Sequence, residues 1–161
     1  MHREDRGFSL IELLIVVAII LIIAAIAIPN LLRSRIAANQ ASAIGSLRII
    51  NTAEVTYSSS FGTGYSSTLV QLGPPAAGAP ADASAAGLID SVLASGVKSG
   101  YSFTYAPTLA DASGKYQGYN LNCGPTQVGT SGTAYYFADQ TYVIRGSVTG
   151  PATAADSPVA N

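Results

Sequence analysis

The sequence predicts an α+β protein in which one long N-terminal α-helix packs on a small antiparallel β-sheet. Two observations indicate this fold class. An unbroken apolar run at residues 8–28 leads into a segment with helical spacing that continues to Ser59. Beyond residue 100, Tyr, Phe, Leu and Cys alternate with Ser, Thr and Asn in short runs, which is typical of strands that bury one face.

The apolar run predicts a helix that cannot stay in water. Residues 8–28 read FSLIELLIVVAIILIIAAIAI, and Glu12 is their only charged residue. As a helix the run spans about 31 Å, close to the hydrocarbon thickness of a bilayer. A helix that is apolar all round must be buried in lipid or in protein. Nothing downstream is large enough to wrap it, so we expect it in a membrane or in the core of an assembly.

The helical pattern continues from Asn30 to about Ser59. Apolar residues recur there at steps of seven, four, three and seven, which gathers them on one helix face. This face predicts that the second half of the helix lies against a small domain. The residues concerned are Ile36, Ala43, Leu47, Ile50 and Tyr57.

Pro29 disrupts the hydrogen bonding and the packing of one turn of this helix. It has no N–H, so the carbonyl of Ala25 loses its helical partner, and its ring clashes with the preceding turn. Pro29 either ends a membrane helix at the interface or kinks a longer helix. Because the pattern after it stays helical, we expect the kink.

Residues 60–161 are predicted to form a globular domain with little helix. Asp82 or Ser84 is a candidate cap for a short helix over Ala85–Ala94, and Gly150–Asn161 is predicted to be a loose tail. Four short runs, the last two joined by a turn near Asp139-Gln140, predict a three- or four-stranded antiparallel sheet. These runs are residues 101–105, 119–123, 134–138 and 141–145.

Three interpretations of the apolar run compete. It is an ordinary membrane anchor, or a signal peptide with Arg3 and Arg6 before it and a cleavage site at residues 25–27, or a segment retained after a short leader is removed. Glu12 favours the third, because a carboxylate in a plain anchor is a cost without a use. Cleavage after Gly7 exposes an amino group on Phe8, one helical turn from Glu12. Glu12 also lies in the first turn, where the helix dipole favours an anion.

The composition argues against catalysis and against nucleic-acid binding. His2 is the only histidine, so a chain that has lost residues 1–7 cannot form a Ser–His or Cys–His pair. No metal-binding spacing is present, and a net charge of −1 gives no electrostatic reason to bind DNA. We therefore expect no enzyme activity, no catalytic residues, no cofactor, no metal site and no nucleic-acid site.

Cys123 and the tyrosines can each be interpreted as structural residues or as functional ones. Cys123 is the one cysteine, which excludes an intramolecular disulfide, and we expect it to be a small buried apolar residue rather than a reactive thiol or an intermolecular bridge. The tyrosines of the strands are expected to pack in the core and across strands, although an adhesive or electron-conducting surface is the alternative.

The start of the chain resembles a known family. The run GFSLIELL from Gly7 to Leu14 is similar to the class III signal of type IV prepilins and pseudopilins, and the resemblance continues as far as Arg35. It implies cleavage between Gly7 and Phe8, N-methylation of Phe8, and neutralisation by Glu12 of the N-terminus of an adjacent subunit. Pro29 matches the helix-breaking proline of the family. Leu21 departs from the glycine that many members have, so the resemblance does not say how far the helix melts before Pro29.

The resemblance implies a type IV pilin-like fold with three parts: a leader at 1–7, a helix at 8–59 with a membrane or filament-core segment at 8–28, and a globular domain at 60–161. The expected function is that of a structural subunit of a bacterial type IV pilus for adhesion or motility. A pseudopilin of a type II secretion system and a secreted soluble binding module freed after Ala27 are the alternatives.

The family also implies partners and locations. The expected partners are identical subunits in a helical filament, the prepilin peptidase and the pilus assembly machinery. The precursor would span the inner membrane once, with its globular part outside, and the assembled subunit would be extracellular. Arg33 and Arg35 follow the apolar run, so the positive-inside rule does not support that orientation.

Overall fold

The computed structural model describes residues 8–159. The chain forms two compact units, one ending at Arg35 and the other beginning at Ile36. Three helices and five strands make up the described part of the chain. In order they are α1 (Leu10–Phe61), α2 (Leu69–Leu72), α3 (Ser91–Ala94), β1 (Val97–Lys98), β2 (Tyr101–Ala110), β3 (Tyr116–Pro125), β4 (Tyr135–Asp139) and β5 (Arg145–Ser147).

Helix α1 is a single helix of 52 residues, close to the predicted range 8–59. It continues through Pro29, so the interpretation in which this proline ends the helix is wrong. The helix ends at Phe61 because Gly62 takes a left-handed conformation with φ of 64°, where glycine carries no Cβ penalty. The Gly62 N–H donates to the Ser58 carbonyl at 3.0 Å and completes the last turn.

The core of the second unit lies between the C-terminal part of α1 and the sheet. Leu47 and Ile50 are fully buried on the helix face that the spacing predicted. They belong to one hydrophobic cluster with apolar side chains of the sheet and of the two short helices, which confirms the α+β fold class. The fully buried apolar members from those elements are Leu72, Leu93, Tyr101, Tyr119, Leu121 and Ala138.

The sheet has five antiparallel strands in the order β1-β2-β3-β4-β5, so the expectation of three or four was too low. Strand β1 was missed because two residues are too short to show a period. The predicted strand at 141–145 is also wrong. Asp139 accepts bonds from the N–H and hydroxyl of Thr141 at 2.9 and 2.5 Å, and Tyr142 follows with φ of 63°. This turn delays the last strand until Arg145.

The helix predicted at Ala85–Ala94 is shorter than expected. It forms only at α3, where the Asp90 carboxylate caps it by accepting the Leu93 N–H at 2.9 Å. Asp82 accepts the Ser84 and Ala85 N–H groups at 2.8 and 3.1 Å instead. That local turn competes with a helical start, as short polar side chains commonly do.

The tail predicted at Gly150–Asn161 is not loose over its described part, which ends at residue 159. The Gly146 N–H donates to the Ser157 carbonyl at 3.1 Å, and the Val159 N–H donates to the Ile144 carbonyl at 2.8 Å. Ala152 is only 2% exposed. The tail therefore covers the outer edge of β5, which would otherwise present unpaired backbone groups.

Cys123, Tyr101 and Tyr119 are buried, as their interpretation as structural residues predicts. Cys123 is buried in β3, and burial raises the pKa of its thiol, which keeps it unreactive. Tyr101 and Tyr119 are fully buried. Tyr119 stacks on Tyr105 with ring centroids 5.6 Å apart, so cross-strand packing is confirmed for this pair.

Candidate functional site

The candidate site is the N-terminal part of α1, and its most specific geometry is at the first turn. Glu12 Oε2 accepts the backbone N–H of Ser9 at 2.9 Å, and the Leu13 N–H donates to the Ser9 carbonyl at 3.2 Å. A carboxylate that reaches back to the residue before the helix forms one half of a capping box. Glu12 thus satisfies a backbone N–H within its own chain.

The sequence analysis missed this capping role, although the signal was present. Ser9-Leu-Ile-Glu12 is the S-x-x-E pattern that marks a helix start ahead of an apolar run. The position of Glu12 and the helix dipole also favour a cationic N-terminus nearby, and the capping bond does not conflict with either argument. The hydrogen bond uses Oε2, so the second carboxylate oxygen remains for another donor.

The predicted cleavage site lies at the edge of the described residues. Phe8 is 78% exposed in front of the helix. Gly7 lies outside the described residues, and so does the predicted leader, residues 1–7. Cleavage after Gly7 and N-methylation of Phe8 stay predictions on which this geometry is silent.

The apolar run forms a continuous exposed surface. Every residue from Phe8 to Arg35 is exposed apart from the half-buried Ala24. In the described residues, α1 is the one helix that is long and apolar enough to cross a membrane. Soluble proteins rarely expose an apolar surface of this extent, so it is a surface for lipid or for other protein.

Pro29 lies near the C-terminal end of this apolar surface and inside α1. Its missing N–H frees the carbonyl of Ala25. Arg33 and Arg35 follow one and two turns later and are exposed. The exposed surface of α1 therefore changes from apolar to basic within about two helical turns after the proline.

No metal-binding cluster accompanies this surface in the part of the chain that the structure describes. Among residues 8–159, no group of three or more His, Cys, Asp or Glu side chains is placed to hold a metal ion. The chemistry that the site offers is apolar contact, one carboxylate and one proline-interrupted helix.

A known family and two known proteins match parts of this chain. The family described as the prokaryotic N-terminal methylation motif matches residues 2–28. The type IV major pilin protein PilA of Myxococcus xanthus is 49% identical over 56 residues, which is 35% of this chain and 26% of that protein. The type IV wide pilus major component PilA4 of Thermus thermophilus is 65% identical over 37 residues, which is 23% of this chain and 28% of that protein. No solved structure matches the chain.

The matches cover about a quarter of the length of each of the two relatives. They are too short to include the whole globular domain of this chain. The family model covers residues 2–28, which include the methylation motif and the apolar run that carried the resemblance in the sequence. The resemblance to the type IV pilin and pseudopilin family is therefore confirmed over the N-terminal segment of this chain.

Proposed function

We propose that this chain is a structural subunit of a type IV pilus, held in the inner membrane as a precursor and assembled with identical copies into an extracellular filament. The observation that carries the proposal is the exposed apolar half of α1 behind an N-terminal methylation motif. Both named relatives are major components of type IV pili, which supports a pilus rather than a secretion filament.

In this proposal the apolar half of α1 exchanges one apolar environment for another. It leaves lipid and enters a bundle of like helices, so hydrophobic free energy changes little, and packing and polar contacts decide the balance. Contacts that repeat head to tail without closing generate a helical fibre. Pro29 weakens one turn of α1, which would let the helix adjust to its neighbours.

The roles of Gly7, Phe8 and Glu12 complete the proposal. A prepilin peptidase cuts between Gly7 and Phe8 and methylates the new amino group, which remains cationic. Glu12 of one subunit then neutralises Phe8 of a neighbour, with the oxygen that its own cap leaves over. A cationic amine and a carboxylate excluded from water attract each other more strongly than in solvent.

Two substitutions of Glu12 separate the charge from the cap. Glutamine keeps the capping-box bond but removes the charge, whereas alanine removes both. We expect E12A and E12Q to accumulate as membrane-held monomers, with filament yield reduced about tenfold or more in both. Sheared filaments and membrane fractions, quantified by immunoblot, measure this. Normal filaments from E12Q alongside few from E12A would leave Glu12 only its capping role.

The N-terminal residue of the mature protein tests the proposal against the soluble alternative. Mass spectrometry of filaments should find a methylated Phe8. A mature chain that begins at Ile28 and purifies without detergent would instead identify a secreted soluble module. Electron microscopy of cells separates the remaining two alternatives, because a pilus subunit gives long surface filaments and a pseudopilin does not.

A further inference from the structure

A buried carboxyl group lies in the second unit, away from the assembly surface. Glu54 of α1 is fully buried, and so is Ser66 in the connection between α1 and α2. Glu54 Oε2 accepts the Ser66 backbone N–H at 3.0 Å, and Glu54 Oε1 lies 2.5 Å from the Ser66 hydroxyl. The Ser66 carbonyl accepts the Tyr105 hydroxyl at 2.9 Å. Ser66 is thus held on all its polar atoms by Glu54 and Tyr105.

The titratable groups around Glu54 are tyrosines that are neutral at ordinary pH. Tyr65 lies on the connection, Tyr105 on β2 and Tyr119 on β3. Desolvation by burial is the largest cause that raises the pKa of each tyrosine, and an ionised Glu54 would add to it. Asp139 of β4 acts on Tyr119, and Tyr142 acts on both Tyr65 and Tyr119. Arg48, on the same helix, is exposed.

Burial and hydrogen bonding act on Glu54 in opposite directions. Burial is the larger effect and raises its pKa, while the bonds from Ser66 and Tyr105 lower it. Among the described residues, none of the groups that set this pKa carries a positive charge. A buried carboxylate without a cation is costly. A neutral carboxyl group avoids that cost: Oε2 still accepts the Ser66 N–H, and a protonated Oε1 donates to the Ser66 hydroxyl oxygen, which reverses the direction of that bond.

We propose that Glu54 is a proton-controlled latch that holds the connection 62–67 onto the domain when protonated and loosens it as the carboxylate forms. Other contacts also hold this connection. The Tyr65 N–H donates to the Tyr116 carbonyl at 2.9 Å, the Tyr65 and Tyr142 hydroxyl oxygens lie 2.7 Å apart, and Lys115 Nζ donates to the Gly62 carbonyl at 2.7 Å. The two bonds between Ser66 and Glu54 differ from these because both residues are fully buried. The latch would make the globular domain of an exported subunit more stable against unfolding at acidic pH than at alkaline pH.

The direction of the pH dependence follows from the pKa. Because the pKa of Glu54 in the folded chain lies above its ordinary value of 4.5, the folded state binds the proton more tightly than the unfolded state. The stabilisation is complete below pH 4.5 and is lost as the pH rises through the folded pKa.

The test compares wild type with E54Q in detergent-solubilised full-length chain between pH 4 and pH 8. Glutamine keeps the shape and the capacity to hydrogen-bond but has no charge to lose. We expect the melting temperature of the wild type to fall relative to E54Q as the pH rises, by about 5 °C per pH unit within the titration window. A difference that stays constant with pH would overturn the proposal. A melting temperature of the wild type that rises relative to that of E54Q as the pH rises would also overturn it, because that result would mean that hydrogen bonds stabilise an ionised Glu54.

Hydrogen exchange of the wild type keeps the test decisive if E54Q does not fold. The Ser66 and Ser67 amides, corrected for their intrinsic pH dependence, should lose protection several-fold from pH 4 to pH 8. Protection that does not change across this range would also overturn the latch. Y105F removes the hydroxyl that donates to the Ser66 carbonyl and that lowers the pKa of Glu54, and it leaves the carboxyl group in place. It should be less stable than the wild type and should still lose stability as the pH rises, with the loss extending to higher pH because the pKa of Glu54 rises further.

Discussion

At the scale of single residues, the fit between Gly132 and Tyr101 shows how tightly the domain is packed. Tyr101 is fully buried, and its hydroxyl donates to the Ala134 carbonyl at 3.0 Å. A Cβ at Gly132 would lie 2.1 Å from that hydroxyl oxygen and 2.6 Å from Cζ. A ring held inside a close-packed core has little room to move away.

G132A is therefore expected to destabilise the domain by about 1–3 kcal/mol, because it overpacks a filled site. Denaturant unfolding of the solubilised chain measures the effect. G45A is the matched control, since a Cβ there meets nothing within 4 Å and alanine favours a helix over glycine. It should stabilise the chain by up to about 1 kcal/mol. Equal effects from the two substitutions would show that Tyr101 yields without cost.

At the scale of elements, the tail is the clearest departure from its sequence pattern. Its Ala, Gly, Pro and Ser composition indicates a loop, yet its backbone bonds cover the edge of β5 and Arg145 Nη1 donates to the Asp156 carbonyl at 2.9 Å. Ala152 and Ala154 lie two residues apart on this tail. The first is buried and the second is exposed.

This contrast makes A152D and A154D a direct test of docking. A carboxylate at residue 152 must be buried or must push the tail away from β5, so we expect A152D to cost about 3 kcal/mol of unfolding free energy. A154D places the same charge in water and should change stability by less than about 0.5 kcal/mol. Urea titration followed by near-ultraviolet circular dichroism compares the two. A tail that is loose in solution would tolerate both substitutions alike.

The elements that periodicity predicted best are those with many repeats of one spacing. Helix α1 carries apolar residues over its whole length, and β2 and β3 alternate for at least five residues, so these were placed correctly. Strand β1 is too short to show a period. The turn near Asp139-Gln140 was predicted, but the late start of β5 and the helix cap at Asp90 depend on which carboxylate accepts the local backbone hydrogen bonds. Sequence spacing alone does not decide that competition.

The N-terminal motif could be recognised from the sequence for a different reason. Its residues are adjacent, so the Gly7-to-Leu14 run can be matched without knowledge of the fold. The roles of Gly7, Phe8 and Glu12 in processing and assembly stay predictions. Glu54 was not singled out because its meaning depends on Ser66 and Tyr105, which are distant in sequence and meet only in the fold. Helical spacing does place Glu54 on the buried face, four residues after Ile50 and three before Tyr57, but it does not show which groups meet the carboxyl group there.

At the scale of the whole molecule, the chain divides into two units, of which one exposes apolar side chains and the other buries them. The unit that ends at Arg35 exposes an apolar helix, whereas the unit that begins at Ile36 has its own hydrophobic core. The core residues of α1 begin at Ala43, so they fall inside the second unit. A unit with its own core is expected to fold without help from the apolar segment.

A fragment spanning residues 36–161 should therefore be soluble and monomeric without detergent, and a chain that begins at Phe8 should need detergent or lipid. The fragment should show the near-ultraviolet circular dichroism of packed tyrosines and unfold in one cooperative transition. Size-exclusion chromatography and thermal scans measure both properties. An aggregated fragment, or one without a cooperative transition, would mean that the apolar half of α1 supports the fold as well as assembly. The proposed division into an assembly segment and an independent domain would then fail.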